Sequence, residues 1–92
     1  METQIVIRPP NSRIMKSGRV LLMTGEDVGE HTTDKREELI IVLSGDAMII
    51  ANDESVQVSE GETYFIKEGI KHNVKNISNE PLEYIYVVST FD

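Results

Sequence analysis

Seven short apolar runs, none longer than five residues, set the limits on this fold: QIVI (4–7), RVLLM (19–23), LIIVL (39–43), AMIIA (47–51), VQV (56–58), TYFI (63–66) and YIYVV (84–88). They are rich in β-branched and aromatic residues, which suit a pleated, half-buried surface. Turn formers stand between them, among them Pro9-Pro10-Asn11, Ser17-Gly18, Ser44-Gly45-Asp46, Asn52-Asp53, Ser59-Glu60-Gly61, Glu68-Gly69 and Asn79-Glu80-Pro81. No stretch repeats apolar residues at i, i+3, i+4 and i+7. The longest helical option, Asp34–Leu39, is a single turn, too short to persist alone. Short strands at such spacing predict an all-β sandwich or barrel. AMIIANDESVQV reads as a hairpin around Asn52-Asp53.

Side chains alternate along a strand, so parity assigns faces. From Glu38 onward, Glu38, Ile40 and Val42 share one face, and Leu39, Ile41 and Leu43 share the other. Both faces are apolar, as they are in Tyr84–Val88. A sheet apolar on both sides has both sides covered. One side is the barrel interior. A chain of 92 residues has little left to cover the other, which predicts a homodimer.

Length and composition narrow the function. Ninety-two residues suit one domain, 1–92. There is no cysteine, so no disulfide and no thiol nucleophile, and a cytoplasmic location is the expectation. METQIVIRPP lacks the basic and apolar regions of a signal peptide. No apolar run approaches the roughly 20 residues that cross a bilayer. A net charge of −7 argues against nucleic-acid or anionic-membrane partners. A small-molecule ligand remains compatible with it.

The chain has two histidines, His31 and His72. In KHNVKN, Lys71, Asn73 and Lys75 form a polar face, which predicts an outer one. His72, Val74 and Asn76 then point inward. A buried imidazole costs free energy unless it is hydrogen-bonded or ligates something. Glu38 starts its strand on the face of Ile40 and Val42, and a carboxylate there needs a cation or donors. If His31, Glu38 and His72 converge, two nitrogens and one hard oxygen suit a divalent transition metal with positions left open. Lys67, Lys71 and Lys75 could contact a phosphate, but a solvated edge is the simpler reading. Lys35, Arg36 and Glu37 read as a charged loop.

The spacing of these residues resembles the cupin family. Its first motif, G-x5-H-x-H-x(3,4)-E-x6-G, is similar to Gly25, His31, Thr33, Glu38 and Gly45 within residues 25–45. Its second, G-x5-P-x-G-x2-H-x3-N, is similar to Gly61, Lys67, Gly69, His72 and Asn76 within residues 61–76. Eight of the ten fixed positions match. The departures are Thr33, where the family has its second ligand histidine, and Lys67, where it has proline.

The resemblance implies a cupin jelly-roll barrel, a double-stranded β-helix of about 8–10 short strands. It implies a divalent transition metal (iron, manganese, nickel, zinc or copper) on His31, Glu38 and His72, or a site that lost its metal when Thr33 replaced the histidine. Thr33, Tyr64 and Asn76 are the candidates for ligand contact, and Tyr84 and Tyr86 share a face that could also line the pocket. Three readings stay open: a metal-binding protein with a small polar ligand, a metal-free binding or sensing module, and a protein-interaction domain. Neither catalysis nor substrate is decided by the sequence.

Overall fold

Extended runs and left-handed turn residues alternate along the chain, and the architecture follows that rhythm. A computed structural model describes residues 1–91, among which there are nine strands and no helix. They are β1 (Glu2–Ile7), β2 (Met15–Leu22), β3 (His31–Thr32), β4 (Arg36–Ser44), β5 (Asp46–Ala51), β6 (Glu54–Ser59), β7 (Thr63–Ile66), β8 (Lys71–Lys75) and β9 (Leu82–Thr90). The one helical option, Asp34–Leu39, does not form, in keeping with its shortness. Lys35 has a φ of 56°, which breaks a right-handed helix, and Arg36 already begins β4.

The strands make two antiparallel sheets in the order β1-β2-β9-β4-β7 and β3-β8-β5-β6. Gly45 carries the chain from one sheet to the other. Its φ is +86°, and a Cβ there would collide with the Pro81 carbonyl oxygen, so two separate constraints select glycine. The β5–β6 hairpin turns on Asn52 and Asp53 at φ 53° and 66°, the left-handed pair of a type I′ turn.

The two sheets close face to face over one apolar core. Val20, Leu22, Ile40, Val42, Leu82 and Tyr84 come from the five-stranded sheet, and Ala47, Ile49, Ala51, Val58 and Val74 from the other. Parity holds along β4: Ile40 is 0% exposed and Val42 1%, while Leu39 and Ile41 are half-buried. On the outer face, Leu39 pairs with Val87 and Phe65, and Ile41 with Ile85. Phe65 is 51% exposed. The five-stranded sheet therefore has an apolar outer face.

One face assignment needs correction. Asn73, expected outside with Lys71, is 8% exposed. The segment before β3 lies along β8, through Val28 N–H to the Val74 carbonyl (3.1 Å) and Asn76 N–H to the Glu26 carbonyl (3.0 Å). Asn73 Nδ2 donates to Asp27 Oδ1 at 3.3 Å under that cover.

Candidate metal centre

His31 and His72 are direct partners in the β3–β8 ladder. Neighbouring positions on one face set the two imidazoles side by side, with ring centroids 4.1 Å apart and planes inclined at 64°. Glu38 comes from β4 in the opposite sheet, and its Oε1 lies 3.6 Å from His72 Nε2. The three donor atoms lie within 4.8 Å of one another. The structure thus brings together the three residues singled out by spacing.

The hydrogen bonds behind the rings settle which nitrogens face inward. His72 Nδ1 donates to the Ile70 carbonyl at 3.0 Å, and His31 Nδ1 to the Gly29 carbonyl at 3.1 Å. A carbonyl only accepts, so each Nδ1 carries hydrogen. In the neutral imidazole, Nε2 is then a lone pair. Such backing is the usual outer support of metal-bound histidines.

His72 is 1% exposed, and its Nε2 is buried without a hydrogen-bond partner. It faces a carboxylate. Two acceptors opposed at 3.6 Å repel unless a proton or a metal ion lies between them. Burial pulls the His72 pKa down, but the Glu38 carboxylate and the Ile70 carbonyl outweigh it, and the net shift is upward. The donor set fits a divalent transition metal. Donors sharing one ion sit about 2.0–2.2 Å from it, so a shared ion would require the widest pair of donors to draw together. Exposed His31 is the member with room to move.

A cavity of about 250 Å³ opens beside this cluster. His31 and Glu38 line it, with walls of Val20, Val74, Val88, Tyr84 and Tyr86. Lys16 and Arg36 also reach it. Burial raises the Tyr84 pKa, aided by the charges of Glu38 and then Tyr86. Burial and then Glu38 raise that of Tyr86. Both phenols are kept as hydrogen-bond donors.

Three expected pocket contacts are placed elsewhere. Thr33 is 1% exposed, and its Oγ1 donates to the Lys67 carbonyl at 2.8 Å. Its N–H donates to the Ile70 carbonyl at 3.4 Å, the same carbonyl that orients His72. Thr33 therefore stands behind the histidine. Tyr64 lines a separate groove with Ala51, Phe65 and Ile70. Asn76 is 0% exposed and fully engaged. Its Nδ2 donates to the Leu22 (3.0 Å) and Glu80 (2.8 Å) carbonyls. Its Oδ1 accepts from Ser78 N–H (3.0 Å) and Oγ (2.9 Å).

Arg36 and Lys16 were not singled out by sequence reasoning, yet parity carried the signal. Arg36 has the parity of Glu38, Ile40 and Val42. Lys16 has that of Val20 and Leu22.

Two antiparallel sheets closed over a cavity, with two histidines from one sheet meeting a glutamate from the other, define a jelly-roll protein with a candidate metal centre. The chain belongs to the cupin domain family, whose profile matches residues 18–88. An oxalate-binding protein of Thermotoga maritima is 29% identical over 70 residues, 76% of this chain and 58% of its own length. The chain thus spans little more than half of that relative. A structure from Thermus thermophilus superposes with a TM-score of 0.89 at 21% identity, covering 100% of this chain and 85% of its own. A "predicted oxalate decarboxylase" from Thermotoga maritima superposes at 0.79 with 26% identity, covering 83% and 66%.

Proposed function

We propose that this protein holds one divalent transition metal on His31, Glu38 and His72 and binds a small polar ligand in the adjoining cavity. The observation that carries the reading is the buried, partnerless His72 Nε2 facing Glu38. An ion bound there would supply Lewis acidity or oxygen activation. The chain's own residues orient and enclose: the Ile70 and Gly29 carbonyls fix the two rings, and the valines and tyrosines keep the cavity largely apolar. At about 250 Å³, the cavity falls below the range of drug-sized ligands. The oxalate-binding relative is compatible with a ligand of this class.

The metal-free alternative rests on Thr33, which leaves three donors where the family pattern has four, and on the proton that the His72–Glu38 pair attracts. Elemental analysis separates the two. Protein purified anaerobically is expected to hold about one metal per chain, and a folded His72→Ala variant to hold none. No metal after incubation with iron, manganese, nickel and zinc salts would sink the metal reading. The homodimer belongs to this proposal, supported by the apolar outer face of the five-stranded sheet. A cytoplasmic location rests on the cysteine-free composition. Among the described residues no helix is long and apolar enough to cross a membrane.

A further inference from the structure

A chain of net charge −7 places two cations at the mouth of its cavity. Lys16 and Arg36 both line it, and among the described residues the only carboxylate that does is Glu38. The ladder shows how they stand. Lys16 pairs with Val88, and Val88 pairs with Glu38, so the three form one row across β2, β9 and β4. Strands lie about 4.8 Å apart, which sets Lys16 and Glu38 about 10 Å apart at the backbone. Arg36 is the next same-face residue on β4, roughly 7 Å along the strand from Glu38. Lys16 therefore stands beside Val88, and Arg36 stands one same-face position beyond Glu38, opposite Thr90.

Among the described residues, no carboxylate forms an ion pair with either cation. The ion pairs among the described residues join the N-terminus to Glu26, Arg19 to Glu83, Lys71 to Glu30 and His72 to Glu38. Arg36 only donates Nε–H to the Asp34 carbonyl at 3.3 Å. A third donor stands close by. The Tyr86 ring lies over Gly18, so close that a Cβ there would come within 2.5 Å of its hydroxyl oxygen. Gly18 is two residues from Lys16 on the same face. The absent side chain lets the phenol lie across β2 at Gly18, one same-face position from Lys16.

We infer that Lys16 and Arg36, with the Tyr86 hydroxyl, clamp the outer carboxylate of a small dicarboxylate whose other end lies toward His31, Glu38 and His72. A guanidinium and an ammonium around a carboxylate make charge-assisted hydrogen bonds, stronger than neutral ones. A neutral ligand of the same shape gains none of this. The inference deepens the proposed function and rests on its ligand cavity; the outer clamp itself does not require the metal.

The test is calorimetric binding of oxalate, malonate and succinate, with malonamide as the uncharged isostere of malonate. Nickel-loaded and chelator-treated proteins are both titrated. Variants are Lys16→Met, Arg36→Met, the double variant, and Lys67→Met as an exposed control. At least one dicarboxylate is expected to bind, and malonate at least tenfold tighter than malonamide. Because both cations are exposed, each single variant should weaken dicarboxylate binding about three- to tenfold, with metal content and Lys67→Met unchanged. Equal affinity in wild type and double variant overturns the clamp, as does malonamide matching malonate. Binding of no dicarboxylate in either form also overturns it. If wild type takes up no nickel but still binds dicarboxylate through Lys16 and Arg36, the metal reading fails and the clamp stands.

Discussion

Gly18 permits the sharpest test of how the cavity wall is built. An alanine Cβ at this position would lie 2.5–2.6 Å from three atoms of the Tyr86 ring, well inside contact distance. The ring must move, and only the half-buried cavity side offers room. Overpacking of this kind costs about 1–3 kcal/mol. Against it, Gly18→Ala gains roughly 0.5–1 kcal/mol, because glycine is unfavourable inside a strand. The net expectation is a loss of about 1–2 kcal/mol. In a Tyr86→Leu background the clash is gone, and the same Gly18→Ala change should be neutral or stabilising by up to about 1 kcal/mol. The cycle therefore predicts a coupling of about 2 kcal/mol. Equilibrium urea denaturation of chelator-treated protein, with the m-value checked for constancy, measures all four species. Identical Gly18→Ala effects in both backgrounds would refute the contact, and with it the account of how Tyr86 is aimed.

Thr33→Val removes the hydroxyl donated to Lys67 and keeps the shape. It should destabilise by about 1–2 kcal/mol, lowering the melting temperature about 4–8 °C per kcal/mol, while metal stoichiometry stays at the wild-type level. Loss of metal instead would make Thr33 a ligand. The raised tyrosine pKa values give a signed pH effect. A group held more protonated in the folded state contributes stability that is present below its unfolded pKa of 10.0 and lost as pH rises through its folded value. Stability should fall above about pH 10, less steeply in Tyr84→Phe; an unchanged profile in that variant would contradict the burial argument. Phe65→Glu puts a charge on the apolar outer sheet and should turn a dimer into monomer in sedimentation velocity. A wild type that sediments as a monomer at high concentration would refute the dimer.

The core of the fold was legible because its strands obey a period of two. Parity put His72, Val74 and Asn76 inside and gave Ile40 and Val42 one shared face, and all five are at most 1% exposed. What stayed hidden is what ladder pairing adds beyond the apolar runs. β2 begins at Met15 because its register with β9 runs from Met15–Ser89 to Leu22–Leu82, so Lys16 belongs to a strand that the apolar run alone starts at Arg19. β4 begins at Arg36 because it pairs with Thr90, which turns an apparent loop arginine into a residue of the inner face. Thr33 shows the opposite failure. It has the parity of His31, but β3 ends at Thr32 and the chain turns toward the Lys67–Ile70 segment. Asn76 pointed inward as expected, but its four hydrogen bonds are a property of the turn it closes, which no spacing reveals.

Thr33 and the cationic rim take on meaning together. The cavity asks for opposite charges at its two ends. At the inner end, a lone pair on His72 and a carboxylate on Glu38 face each other across 3.6 Å, and only a cation relieves that arrangement. At the outer end, Lys16 and Arg36 lack carboxylate partners among the described residues. With three protein donors in place of four, the proposed ion at the inner end would keep one more position open to water or ligand. On the proposed metal reading Thr33 leaves that position open, while it shares the Ile70 carbonyl that orients His72. An anion that enters then meets positive charge at both ends of an apolar-walled space. The low local dielectric strengthens each contact, and Glu38, committed to the inner cluster, is the one negative group lining the cavity among the described residues.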